Sequence, residues 1–138
     1  MFMTPEKLME FAREAMEKAY APYSCCRVGA ALLCADGTVY GGCNIENAAY
    51  GPTNCAERTA IFKAVYDGHR DFTAIAVCGG LDGKITGTFP PCGVCRQVLR
   101  EFCKDDFLIY LTDDRGNLQS YTLLELLPQS FQADSFIL

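Results

Sequence analysis

Apolar residues recur at helical spacing near the start of the chain. Leu8, Ala12, Ala15 and Ala19, with Phe11 and Met16 beside them, mark one face. Thr4 is placed to cap this helix and Pro5 to open it, and the pattern runs to about Tyr20. The stretch "RVGAALLCADGTVYGGCNIE" predicts a hairpin, with strands over about Val28 to Cys34 and Thr38 to Cys43 and a turn at Asp36-Gly37. A polar segment, Asn44 to Asn54, leads to a second helix over about Cys55 to Tyr66 that stops near Gly68. "FTAIAVCGG" is apolar nearly throughout and reads as a strand buried on both faces.

After a Gly-rich loop, Pro90-Pro91 opens a third helix over about Cys92 to Phe102. "FLIYLTD" and "LQSYTL" are strands on either side of a turn at Arg115-Gly116-Asn117. "LLELLP" is a short helix, and a tail carries Phe131 and Phe136. The order α-β-β-α-β-α-β-β-α predicts an α/β fold, a three-layer α-β-α sandwich around a mixed five-stranded sheet. No repeat, linker or composition shift divides the chain, so one domain over residues 1–138 is expected.

Composition narrows the function classes. Half of the residues are hydrophobic, enough for one sizeable core, and the net charge is -5. No basic stripe is present, which argues against a nucleic-acid strand as partner and for a small-molecule substrate. The first 20 residues are charged throughout and do not read as a signal peptide. No apolar run reaches the roughly 18 residues of a membrane span. A cytoplasmic location is expected. Nine cysteines then stand in a reducing compartment, where some can bind metal and most are small buried hydrophobes.

Two cysteine-bearing helix starts stand apart, "NCAE" and "PCGVC". Cys92 and Cys95, at i and i+3, share one helix face, and Cys55 comes from the other helix. Three thiolates leave one tetrahedral position open, the pattern of a catalytic zinc site. At a helix's first turn side chains lean toward the N-terminus, so Glu57 can stand beside a water activated by zinc without ligating the metal. Arg58 is a candidate to hydrogen-bond a thiolate and draw off negative charge, because three thiolates and one Zn²⁺ sum to -1. Each part has another reading. Asn54 and Glu57 can form a capping box, and Cys92 with Cys95 can be a redox pair. Jointly, C-x-E and P-C-x-x-C match the two-part pattern of zinc deaminases acting on nucleobases.

The chain resembles the small homotetrameric cytidine deaminases, of the cytidine and deoxycytidylate deaminase family. "YAPYS", "VGAAL", "GCNIENAAY", "NCAERTA", "PCGVCRQVLREF" and "LLPQSF" carry the resemblance, in the family's order and over nearly the whole chain. It implies hydrolysis of cytidine or deoxycytidine to uridine or deoxyuridine with release of ammonia, in pyrimidine salvage. It implies one zinc ion per chain on Cys55, Cys92 and Cys95, with Glu57 as proton shuttle. Asn44 and Glu46 match residues that hydrogen-bond the ribose 3′-hydroxyl, and the Ala56 backbone matches a contact to the pyrimidine edge. Phe131 matches an aromatic that reaches into a neighbouring subunit's site, and Tyr50 lies in a segment bordering the subunit contact. A homotetramer with shared active sites follows from the same resemblance.

One position departs from the family pattern. Cys26 stands where an aromatic ring often stacks on the base. Gln97 is a candidate to support the site, and Arg96 reads equally as a surface residue. Cys25, Cys34, Cys43, Cys78 and Cys103 read as packing residues, and His69 as a solvated turn residue. Three competing readings are open: a deaminase of another aminopyrimidine nucleoside, a non-catalytic zinc-stabilised interaction module, and a thiol-redox protein using Cys92 and Cys95.

Overall fold

The computed structural model describes residues 2–136. Its central sheet has the strand order β2-β1-β3-β4-β5, from β1 (Cys26–Cys34), β2 (Val39–Cys43), β3 (Phe72–Leu81), β4 (Leu108–Thr112) and β5 (Leu118–Thr122). Only β3 and β4 run parallel, and the other neighbours are antiparallel, so the sheet is mixed as expected. The parallel pair is joined by a crossover through α3 (Gly93–Phe102), as parallel strands require.

The period-two alternation of the strands sorts the core into two layers. Ala30, Leu32 and Cys34 of β1 and Ile75 and Val77 of β3 face α2 (Ala56–Tyr66), α3 and α4 (Leu123–Leu126). Ala31, Ala74, Ala76 and Cys78 face the other way, onto Leu8, Met9, Ala12 and Met16 of α1 (Pro5–Met16). The three-layer sandwich follows from this split. β3 is buried along Ala74 to Gly80, in keeping with its unbroken apolar run.

Two glycines let the helices close on the sheet. A Cβ on Gly29 would overlap the Ala12 carbonyl and the Met16 backbone of α1. One on Gly42 would overlap the Ala56 carbonyl and the Ala60 backbone of α2. The second contact presses the start of α2 against the end of β2, which puts Cys55 and Glu57 beside the polar segment that follows β2.

The structure shifts some expected boundaries. α1 ends at Met16, four residues before Tyr20, because Lys18 and Ala19 turn back onto Ala15 and Met16 and the chain then pairs with Asn44 and Glu46. Cys55 and Cys92 are N-cap residues rather than first helical ones, and neither makes a side-chain cap bond. The Asn54–Glu57 capping box does not form, since the Asn54 amide donates to the Thr59 hydroxyl at 3.0 Å. Cys25 is exposed in a left-handed conformation (φ 58°) and Cys43 is half-buried, so these two are not core cysteines. Cys34, Cys78 and Cys103 are. The tail adds a 3-10 turn, Ala133–Phe136, that periodicity did not predict. No helix among the described residues is long and apolar enough to cross a membrane.

Candidate functional site

The β-region backbone of Cys55 and Cys92 aims both side chains over the ends of α2 and α3 instead of along their flanks. Cys95, one turn into α3, points the same way as Cys92. The three Sγ atoms lie within 4.8 Å of one another, and Cys55 Sγ and Cys92 Sγ are 3.8 Å apart. Sulfurs held at the usual Zn–S length of about 2.3 Å on a tetrahedron stand about 3.8 Å apart, so the trio fits zinc. Cys95 is buried, Cys55 half-buried and Cys92 exposed, which leaves the cluster closed by protein on one side and open on the other. Among the described residues no fourth cysteine, histidine or carboxylate joins the group.

Charge in this region favours thiolates. Two helix N-termini converge on the cluster, each carrying a partial positive charge. The Arg58 Nη2 donates to Cys55 Sγ at 3.1 Å. The Cys55 thiol is held below its ordinary value by its hydrogen bond with Cys95 and by Arg58, while that shared bond and burial push Cys95 upward. A metal ion arriving here displaces the remaining thiol protons.

Glu57 is 4% exposed, and burial pushes its carboxyl up to about 7. It lines a cavity of about 190 Å³ together with Val28, Asn44, Thr53, Asn54, Cys55, Ala56, Phe89, Pro90 and Cys92. The buried carboxyl, the open side of the sulfur trio and the Asn44 amide thus share one small space. Asn44 is locked across the start of β1, accepting from Val28 N and donating to the Cys26 carbonyl, both at 2.8 Å.

The sequence motifs and the fold now have counterparts in known proteins. A family model described as the cytidine and deoxycytidylate deaminase zinc-binding region matches residues 3–111. A cytidine deaminase of Sporosarcina psychrophila is 52% identical over 132 residues, covering 96% of this chain and 94% of that protein. One of Halalkalibacterium halodurans is 51% identical, covering 96% and 97%. The crystal structure of cytidine deaminase from Burkholderia pseudomallei superposes with a TM-score of 0.87 at 49% identity, covering 94% of this chain and all of that one.

The chain belongs to the cytidine and deoxycytidylate deaminase family. In this zinc-binding deaminase, Cys55, Cys92 and Cys95 form a cluster suited to one zinc ion.

The cavity does not gather every residue picked out in the deaminase sequence. Glu46 lies outside it. Its carboxylate accepts from the Tyr23 and Ser24 amides at 3.0 and 3.1 Å and from the Ser24 hydroxyl, and these bonds hold it below the usual carboxylate range. Tyr50, 82% exposed, and Phe131, 58% exposed, also lie outside the cavity of their own chain. Gln97 donates to the Phe131 carbonyl at 2.8 Å, so it tethers the tail. Arg96 is no free surface residue: it donates to the Pro91 and Leu126 carbonyls, both at 2.7 Å, and pins the loop before α3 to α4. Cys26 does not line the cavity.

Sequence reasoning missed Phe89. It is the one aromatic ring lining this cavity, and it packs so closely on Gly79 that a Cβ there would lie 2.9 Å from the ring. Its signal was an aromatic directly before Pro90-Pro91, at the mouth of the second cysteine motif.

Proposed function

We propose that this chain, acting as a single domain over residues 1–138, hydrolyses cytidine and deoxycytidine to uridine and deoxyuridine with release of ammonia, a step of pyrimidine salvage. The observation that carries this reading is the buried Glu57 carboxyl, which lines the same cavity as Cys55 and Cys92 of the open-sided cysteine trio. When bound, zinc supplies a Lewis acid that activates water at its open position.

Glu57 moves the protons. Its carboxylate takes one from the attacking water and gives it to the pyrimidine N3. It then takes the second from the new C4 hydroxyl and supplies it to the amine, which departs as ammonia while the C4 carbonyl forms. A carboxyl raised to about 7 by burial is matched to both giving and taking at neutral pH. Burial of the Glu57 carboxyl, 4% exposed, limits the access of bulk water to these transfers.

Substrate binding falls to the cavity walls and to Glu46, two residues beyond Asn44. The Ala56 backbone, at the start of α2, meets the pyrimidine edge. Asn44 and Glu46 meet the ribose 3′-hydroxyl. Asn44 is preorganised by its two backbone bonds, and Glu46 reaches the sugar by exchanging part of its bonding to Ser24. Phe89 offers a ring face to the base. Arg58 tunes Cys55, and Gln97 acts one step away, by holding the backbone of Phe131.

About 190 Å³ is below the 300–1,000 Å³ usual for ligand pockets. It accommodates a ring and leaves the rest of a nucleoside to be covered. Exposed Phe131 and Tyr50 are suited to cover it from another copy of the chain, in a homotetramer with shared sites. Light scattering tests the tetramer, and a monomer with full activity would sink this part. The enzyme is taken to act in the cytoplasm on a free nucleoside.

The decisive experiment is steady-state turnover on cytidine, deoxycytidine and cytosine, after about one zinc per chain has been confirmed. Both nucleosides should react. Activity on cytosine but on neither nucleoside overturns the ribose assignment. Glu57→Gln should keep its zinc and lose about 10²- to 10⁴-fold in kcat, and near-normal turnover would reject the proton shuttle.

A further inference from the structure

At the far end of β1 a second group of metal-binding side chains converges. Cys34, Asp36 and His69 bring a sulfur, a carboxylate oxygen and an imidazole nitrogen within 4.8 Å of one another. Cys34 is six residues along the strand from Val28, which lines the deaminase cavity, so the group lies about 20 Å from it. We propose that Cys34, Asp36 and His69 form a second, independent site for a divalent ion of the zinc class.

Each donor is positioned by a local device of the fold. Cys34 ends β1 at a register shift, and its amide donates to the Thr38 carbonyl at 2.8 Å, closing the β1–β2 turn. Asp36 sits in that turn. Its Oδ1 accepts from Thr38 N at 3.0 Å, which leaves Oδ2 directed at His69 Nδ1, 3.8 Å away. His69 follows α2, where Gly68 turns left-handed (φ 97°) and the His69 amide returns to the Ala64 carbonyl at 3.0 Å. Its ring is braced edge-on against Tyr40, with centroids 5.4 Å apart, and the Tyr40 hydroxyl is tied to Asp67 at 2.7 Å.

These donors converge without satisfying one another. The separation of 3.8 Å is too long for a hydrogen bond between Asp36 and His69. Cys34 is 1% exposed, and its sulfur makes no hydrogen bond among the described residues. One thiol, one imidazole and one carboxylate make a mixed S, N, O set. That set suits zinc and its neighbours and is too soft for calcium or magnesium. Three protein ligands leave the fourth position to water, on the side where Asp36 is exposed and His69 half-buried. Binding there displaces the Cys34 proton. The ion would join the β1–β2 turn to the connection between α2 and β3, and would stabilise the fold by binding the native state.

The test uses the zinc-loaded enzyme. It is equilibrated with a small excess of zinc, desalted, and analysed for metal, and its thermal midpoint is followed with and without the added zinc. The wild type should hold one equivalent beyond that of the cysteine trio, and its midpoint should rise. His69→Asn, changed in the connection between α2 and β3 and away from the deaminase cavity, should lose both effects and keep full turnover on cytidine. Cys34→Ala should lose the equivalent as well. If Cys34→Ala folds poorly, His69→Asn alone decides. The proposal is overturned if the wild type takes up no further zinc, or if His69→Asn takes up as much as the wild type. These readouts are independent of the deaminase reading, which fails or stands on turnover.

Discussion

Arg58→Gln separates the metal's charge environment from its retention. The Arg58 Nη2 stands 3.1 Å from Cys55 Sγ, one helical turn from its own backbone. Zinc with three thiolates carries a net charge of -1, and the guanidinium brings the local sum to zero. The Nε of the same side chain is buried without a partner, so this arginine is kept at some cost in desolvation. Glutamine removes the charge and is too short to make the same contact. A hydrogen bond to a charged group contributes about 1.5–3 kcal/mol, or about 10- to 150-fold. Outer partners of metal ligands typically cost about 10- to 100-fold when removed, which agrees. The expected result is a fall in kcat of about 10- to 100-fold with about one zinc per chain retained. Cytidine turnover followed by ultraviolet absorbance, with metal analysis of the same sample, measures both quantities. An unchanged kcat refutes the charge-tuning role. Zinc loss with full recovery on adding zinc would recast Arg58 as a residue of metal retention only.

Three further outcomes follow from other parts of the structure. Phe89→Ala should raise KM for cytidine by about 5- to 150-fold, the equivalent of about 1–3 kcal/mol of base stacking, with a smaller change in kcat; an unchanged KM would confine the ring to packing on Gly79. Gly29→Ala should lower stability by about 1–3 kcal/mol, because the new methyl meets the Ala12 carbonyl, and a urea midpoint equal to wild type would contradict that contact. Glu46 is held below its ordinary value by Ser24 and the Tyr23 amide, so its stabilisation is present above about pH 4.3 and fades as pH falls through the lower folded-state value. Thermal midpoints from about pH 6 to about pH 3 should therefore converge for wild type and Glu46→Gln toward the acid end, and parallel curves would rule this out.

Much of the fold was legible because its signals are local. The apolar runs of β1 and β3, the Thr4-Pro5 start of α1 and the Asp36-Gly37 turn each depend on a few neighbouring residues, and all appear within a few positions of where the sequence puts them. The extension of α1 to Tyr20 failed for a nonlocal reason: residues after Met16 trade helical bonds for pairing with Asn44 and Glu46. The cysteine trio was legible because two short motifs each mark a helix start, and a helix start fixes where the side chain at its cap is aimed. Phe89, Arg96 and the Gln97 tether were not, since each acts on a partner far along the chain or on space enclosed by several elements.

By itself the sequence determined the element order, the apolar face of α1, the donor types at two helix starts, and membership of a deaminase family. Tertiary structure decided which residues share a cavity. It joined Asn44, Glu57 and Phe89 in one space, left Glu46, Tyr50 and Phe131 outside it, and brought Cys34, Asp36 and His69 together across two loops. The reason is geometric: spacing along the chain controls what lies on one helix turn or strand face, whereas convergence between elements depends on how closely they pack. Here that packing is set by small residues such as Gly29 and Gly42, where any added methyl would meet backbone.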